Sequence, residues 1–506
     1  MGIPSYFKKL VQTKKTILLR EIPGQPHALA IDFNCIVYTC LRDSELSPYP
    51  GNEDEQKQKA WEQELLRNVC KTLKEIHESA KKPTQVFVAV DGVVPMAKIR
   101  QQRMRRFKSI WWAEKEYEMG VRKRDVPRWD TNAITPGTAF MASLNSKIGS
   151  FCQQNGWQFS SSNEPGEGEH KLIQWLRGKP ELQDVVVFGL DADLILLSML
   201  CAEQHSKHIW LMREKTEFQD AGANCKFMYL DVCQLSQALF PQTERLPFLI
   251  DYIAGMSLLG NDFLPHGLCL KIKDDGHERL VKLLETLHSQ QKWLVRNGML
   301  EMDSLKIVIH ELAKTQEEDM RRAISKKYKM KPMAPRNETE KMMLPIQGLP
   351  LEWKAEQIFG TSQQLHEDWK ETYRSYCPKE ACSSYMFGLQ WILDYYLGNP
   401  IVRTWFFSWH LPPLSSDFHD YLNECRVQRF QPPSQTEILP EEQLAMVLPL
   451  QSWHLLPNSS LRMLPSLLPQ FWPSSFGFLS LGRYWMWECE ADVPILTPGR
   501  LRALKA

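Results

Sequence analysis

Val185-Val-Val-Phe-Gly-Leu-Asp191 reads as a short, buried strand that ends on an acid, and the same construction occurs twice before it. Ala28-Leu-Ala-Ile leads into Asp32, and Val86-Phe-Val-Ala-Val leads into Asp91. Brief, nearly continuous apolar runs suit strands covered on both faces of a parallel sheet. The carboxyl ends of parallel strands share one edge, so the three aspartates are expected to converge on one crevice. Crowded carboxylates repel unless something neutralises them, and a hard divalent cation with oxygen ligands does so. The sequence therefore predicts an α/β fold with a metal-binding edge.

More acids extend the set. Asp193 follows Asp191 by two positions and would point to the same side if the strand continues. In Pro165-Gly-Glu167-Gly-Glu169-His-Lys171 the glycines let the chain turn tightly, which presents two carboxylates at a helix start. Pro247 to Leu259 reads as a buried helix delivering Gly260-Asn-Asp262. Seven carboxylates suit two cations a few ångströms apart, one activating a water and one stabilising the leaving oxygen of a phosphodiester.

Seven residues after Asp91 begins Lys98-Ile-Arg-Gln-Gln102-Arg-Met-Arg105-Arg106-Phe-Lys108, a run rich in cations and free of acids. On a helix Lys98, Gln102, Arg105 and Arg106 fall at i, i+4, i+7 and i+8, which is one face. That face opens beside the acidic crevice. A phosphate docked there would accept forked arginine hydrogen bonds while the next phosphodiester reaches the metals. Such geometry describes a nuclease that holds one end of its substrate.

The 506 residues, 43% apolar, suffice for a large catalytic domain and a second module. With 61 basic and 60 acidic residues the net charge is only +1, so the distribution of charge, and not its sum, identifies the partner. No uninterrupted apolar run long enough for a membrane span exists, and no basic-then-apolar signal opens the chain. An intracellular protein, cytoplasmic or nuclear, is expected. The 12 cysteines include no Cys-x-x-Cys pair, so reduced structural thiols are expected. Helical and strand patterns alternate to about residue 270, with Trp61, Leu65, Val69, Leu73 and Ile76 forming a helical core stripe. Residues 271–345 read as a helical segment and charged linker, 346–425 as an aromatic-rich helical block, and 426–506 as a Pro/Trp-rich tail.

Taken in order, Met1-Gly-Ile-Pro4, Ile31-Asp-Phe-Asn34, Val90-Asp-Gly-Val-Val-Pro-Met-Ala-Lys98 running on to Arg106-Phe107, and Asn132-Ala-Ile-Thr-Pro-Gly-Thr138 closely resemble the XRN family of 5′→3′ exoribonucleases. The same holds for Pro165-Gly-Glu-Gly-Glu-His-Lys171, Asp191-Ala-Asp-Leu-Ile195 and Gly260-Asn-Asp-Phe-Leu-Pro-His266. The resemblance continues more loosely through Trp369-Lys-x-x-Tyr373, Leu389-Gln-Trp-Ile-Leu-x-Tyr-Tyr396, Trp405-Phe-Phe407, Glu442-Gln-Leu-Ala-x-Val-Leu-Pro449 and Trp487-Glu488.

The resemblance implies a PIN-like, flap-nuclease-type mixed and mainly parallel sheet flanked by helices, spanning 1–270, with a mostly helical second conserved region packed around it. Asp32, Asp91, Glu167, Glu169, Asp191, Asp193 and Asp262 match the acids that hold magnesium or manganese. Lys98, Gln102, Arg105 and Arg106 match the pocket for a 5′-monophosphate, and Trp405 resembles the aromatic that stacks on leading bases. Its usual partner, a histidine six residues after the first acid, is Tyr38 here. Tyrosine keeps a stacking face, worth roughly 1–3 kcal/mol per base, without histidine's charge. The implied substrate is single-stranded RNA with a 5′-monophosphate, degraded to mononucleotides in RNA decay. A minimal, core-only monomer with no obligate protein partner is expected. The alternatives are a flap-type structure-specific DNA nuclease and an inactive RNA-binding scaffold. Phe263-Leu-Pro-His-Gly-Leu after Asp262 lacks the glycine-rich hairpin expected of the former, and intact acids oppose the latter.

Overall fold

The computed structural model describes residues 17–214, 226–241, 244–331, 334–347, 355–424, 437–457 and 460–505. The Met1–Pro4 motif, part of the Pro/Trp-rich tail and the start of the aromatic block lie outside them. A seven-stranded sheet organises the first half: β1 (Leu18–Leu19), β2 (Ala28–Asp32), β3 (Gln85–Ala89), β4 (Gln158–Ser160), β5 (Asp184–Phe188), β6 (His208–Glu214) and β7 (Phe227–Asp231). Their spatial order is β1-β7-β6-β5-β2-β3-β4. β4, β3, β2, β5 and β6 run parallel, while β7 lies antiparallel to β6 and β1 antiparallel to β7. The chain moves from β2 outward through β3 and β4, then returns to place β5 on the other side of β2. Strand order therefore reverses at β2, and the crevice outside its carboxyl end is where such sheets bind ligands.

Period-two alternation sorts each strand's side chains onto two faces. Ala28, Ala30, Ala89, Val185, Val187 and Leu211 face one core, packed by the helices Gly168–Arg177, Asp193–His205 and Arg245–Met256. Leu29, Ile31, Val86, Val88, Val186 and Trp210 face the other, covered by the helices Glu55–Ser79 and Ala139–Gln154. The expected stripe Trp61, Leu65, Val69, Leu73 and Ile76 is buried there. A third core joins distant parts: Val94, Met96, Ile99 and Phe107 pack with Leu444, Met446, Leu464, Phe471 and Trp472.

Three local features refine this picture. The basic helix runs Met96–Glu118: Trp111 and Trp112 continue it past Lys108 and pack beside Met343 and Met486. The helical stretch after 270 is broken by a hairpin, Val295–Arg296 against Met299–Leu300. Asn297 and Gly298 both adopt positive φ, the Asn-Gly signature of a tight two-residue turn. The charged segment holds the helix Gln316–Lys329, which buries Met320, Ala323 and Ile324. Among the described residues no helix is long and apolar enough to cross a membrane, and the ten described cysteines are all free.

Candidate active site

β2 ends on Asp32, Asp91 lies two residues past β3, and Asp191 three past β5. Asp193 departs from expectation. The strand stops at Phe188, Gly189 turns the chain, and Asp193 opens the helix Asp193–His205 instead of continuing a strand. Gly189 is needed at that turn, because a Cβ there would lie 2.4 Å from Leu194 Cδ2 and 3.2 Å from Asp32 Cβ.

The glutamates arrive on a separate latch. Gly92 N–H donates to Gly166 O at 2.8 Å and Gly166 N–H to Val93 O at 2.9 Å, tying the Asp91 loop to the Glu167 loop. Glu167 is the N-cap of the helix Gly168–Arg177 and Glu169 sits in its first turn, where the exposed N–H groups favour negative charge. Gly168 N–H donates to Asp91 Oδ1 at 2.6 Å. Lys171 Nζ reaches back to the carbonyls of Val90 and Ser161, both at 2.8 Å, and so holds the end of the Asp91 strand. The Asp262 loop is fixed by its own neighbour: Asn261 Oδ1 accepts from the N–H groups of Phe263 and Leu264 at 2.9 Å each.

The seven acids lie close enough to perturb one another. Burial, then the charges of Asp91, Asp191 and Glu167, push Asp32 well above the carboxylate range. Burial and then Glu167, Asp193 and Asp191 do the same to Glu169. Burial pushes Asp91 up to about 6 against the Gly168 hydrogen bond. Asp193 is pushed up to about 6 by burial and then by Asp262. Glu169 Oε2 and Asp193 Oδ1 are buried with no hydrogen-bond partner among the described residues. Buried anions without donors are costly. A set of oxygen donors with unsatisfied lone pairs fits a hard divalent cation.

Lys98 stands inside this group. Its Nζ lies 2.7 Å from Glu167 Oε2 and 2.8 Å from Asp262 Oδ2, and it is 8% exposed. Burial alone would lower its pKa, but the Asp262 and Glu167 carboxylates outweigh that and hold it charged. The other phosphate candidates line up differently. Arg106 Nη2 donates to Thr135 Oγ1 at 2.7 Å while its Nη1 is buried without a partner among the described residues. Burial pushes Arg106 down to about 10. Gln102 Oε1 is likewise buried and unpartnered, and Arg105 is exposed. Arg103, from the same run, faces away: its guanidinium donates to the carbonyls of Pro494 (2.7 Å), Met446 (2.8 Å) and Phe471, and stacks over Phe107.

Of the stacking candidates, Tyr38 is half-buried on the helix Asn34–Leu41, on the Arg106 side of the site. Trp405 rests on the helix Ala381–Leu397, its ring 5.3 Å from Trp391 and 5.5 Å from Phe387. A Cβ on Gly388 would come within 2.7 Å of Trp405 Cη2, so the glycine seats the indole.

The sequence reading assigned no role to three residues that the fold brings to the acids. Tyr395 donates its hydroxyl to Glu167 Oε1, and Tyr396 lies beside Asp193 and Glu169, whose charges join burial in holding its hydroxyl proton. His170 packs against Tyr395 with ring centres 3.9 Å apart and tilted by 39°, is pushed down to about 4 by burial, and presents a ligand atom within 4.8 Å of those of Glu167 and Glu169. The signals were present in the Glu-His-Lys and Tyr-Tyr motifs, but adjacent tyrosines on an aromatic helix read as core until the partner carboxylates are placed.

Both halves of the chain are similar to known proteins. Residues 1–215 match the family model described as XRN 5′-3′ exonuclease N-terminus, and residues 247–348 with 364–505 match the Xrn1 helical domain. Human 5′-3′ exoribonuclease 1 is 26% identical over 99% of this chain and 34% of its own length. The Saccharomyces cerevisiae 5′-3′ exoribonuclease 1 is 29% identical over 53% of this chain and 19% of its own. The chain thus spans about a third or less of these two relatives. The catalytic core of Rad2 in complex with DNA overlays with a TM-score of 0.32 at 11% identity over 79% of the chain, too distant to bear on the argument. With both halves of the family's conserved architecture matched in order, the chain belongs to the XRN family of 5′-3′ exonucleases.

Proposed function

We propose that the chain is a 5′→3′ exoribonuclease that degrades single-stranded RNA carrying a 5′-monophosphate, releasing mononucleotides, and that it takes part in RNA decay. The observation that carries this reading is the juxtaposition of seven converging acids with a basic helix that begins among them, Lys98 touching both Glu167 and Asp262. A metal cluster alone cuts without direction, whereas an adjoining phosphate pocket counts from an end.

In this reading Asp32, Asp91, Glu167, Glu169, Asp191, Asp193 and Asp262 hold magnesium or manganese ions. Two such ions would supply Lewis-acid stabilisation of a phosphodiester and a nucleophilic water at neutral pH. Arg105, Arg106 and Gln102 grip the terminal phosphate, with Arg106 aimed by Thr135. Lys98 bridges the pocket and the acids, offsetting carboxylate charge and orienting Glu167 and Asp262. Tyr395 fixes Glu167 from the second region, and Tyr396 lies beside Asp193. Tyr38 and Trp405 receive the leading bases, which demands a single strand, because a duplex cannot splay its bases onto aromatic faces.

Asp191→Ala tests the assignment. The expected result is loss of mononucleotide release from 5′-monophosphorylated RNA in magnesium, with RNA affinity within a few fold of wild type. Retained turnover refutes it.

A further inference from the structure

Behind the Asp262 loop lies a second cavity of about 290 Å³, at the lower end of the range for small-molecule sites. Of the seven acids only Asp262 lines it, and of the four phosphate candidates only Arg105. It therefore adjoins the acidic crevice without being part of it. One wall is a side of the basic helix bearing Gln101 and Arg105, and the second region adds Trp409 and Arg483.

Several of these groups are unspent. Gln101 is 8% exposed, yet its Oε1 has no hydrogen-bond partner among the described residues. The guanidinium groups of Arg105 and Arg483 make no hydrogen bond or ion pair among those residues. Lys108, by contrast, is committed to the carbonyls of Trp487 (3.0 Å) and Cys489 (2.7 Å). The lining carries five cations against three acids, Asp262, Glu488 and Glu490, and Glu488 already accepts the Tyr484 N–H at 2.8 Å. Unpaired guanidinium groups complement a phosphate, an indole complements a base face, and an unsatisfied amide oxygen complements an exocyclic amine.

We propose that this cavity binds a nucleoside 5′-monophosphate, the product of each cycle, as it leaves the acidic crevice. The inference rests on the exoribonuclease reading. Arg483 takes the phosphate, Trp409 meets the base and Gln101 accepts from its amino edge. A compartment beside the crevice lets the product clear while the shortened strand stays in place.

Calorimetry with AMP on the full chain tests this, the crevice being filled with 5′-monophosphorylated RNA whose first linkages are phosphorothioates. AMP is expected to bind the RNA-loaded protein, and adenosine, lacking the phosphate, at least fivefold more weakly. Arg483→Ala and Trp409→Ala should each weaken AMP at least fivefold while leaving RNA hydrolysis without AMP within twofold of wild type. AMP binding that the RNA abolishes, or that neither variant alters, overturns the proposal. So does a loss of RNA affinity in the variants, which would make the cavity part of the strand's path. If the chain hydrolyses no RNA, the exoribonuclease reading falls, whereas AMP binding and its dependence on Arg483 are still decided by calorimetry.

Discussion

Gly168 is the position where one methyl group separates folding from chemistry. A Cβ there would lie 2.6 Å from Asp32 Oδ1, 2.9 Å from Ala89 O and 3.3 Å from Asp91 Oδ1. Relieving the first contact to about 3.4 Å requires Asp32 or the helix start to move by about 0.8 Å. The same movement stretches the Gly168 N–H···Asp91 bond from 2.6 Å. Misplacing a reacting constellation by about 1 Å costs on the order of 100-fold in rate. Stability should respond far less. Overpacking costs about 1–3 kcal/mol, and alanine's better helix propensity returns up to about 1 kcal/mol. Gly168→Ala is therefore expected to fold, to melt within several degrees of wild type, and to hydrolyse 5′-monophosphorylated RNA about 100-fold more slowly in single-turnover assays. Gly178→Ala is the control at the far end of the same helix, where a Cβ meets only carbonyls at 3.5 and 3.7 Å. Near-wild-type hydrolysis by Gly168→Ala would refute the reasoning, as would equal losses in both variants.

Tyr395→Phe removes the hydroxyl that satisfies Glu167, a loss of about 1–3 kcal/mol at a buried anion, so the half-saturating magnesium concentration should rise several fold. An unchanged magnesium requirement contradicts that role. Lys98→Met strips the buried partner from Glu167 and Asp262 and should cost the cation-free protein about 3–5 kcal/mol, partly restored by magnesium. An undiminished melting temperature in EDTA would count against it. Asp91 and Asp193, both raised to about 6, keep protons that the unfolded chain has released above its own lower pKa. Cation-free stability should accordingly fall as pH climbs from about 4 to about 6, by about 3 kcal/mol for each carboxyl, and then level off. Melting scans at pH 5 and 7.5 should show magnesium raising the melting temperature more at the higher pH, where ligands need not release protons to bind. A magnesium effect independent of pH contradicts the assignment.

The central sheet was legible because its strands are local, uninterrupted apolar runs, and their carboxyl ends place Asp32, Asp91 and Asp191 without further information. Glu167 and Glu169 were legible for a similar reason, since Gly166 and Gly168 announce the turn that presents them. Long-range pairing was not. Arg103 sits in a basic run that reads as solvated or ligand-facing, yet it is buried against the carbonyls of Met446, Phe471 and Pro494, hundreds of residues away. Lys98 reads as a phosphate ligand from its helical face, and only the return of the Asp262 loop reveals that it also bridges two acids. Asp193 was expected to extend a strand because a period of two is the default beyond an apolar run. The Gly189 turn puts it on a helix and brings it to the same crevice by another route.

End selectivity tests the account most directly. Three RNAs of identical sequence, bearing a 5′-monophosphate, a 5′-triphosphate or a 5′-hydroxyl, are compared in magnesium by the rate of mononucleotide release. The arrangement of Lys98, Gln102, Arg105 and Arg106 beside the acids predicts rapid hydrolysis of the monophosphorylated RNA and rates at least tenfold lower for the other two. Equal rates for all three ends would contradict it.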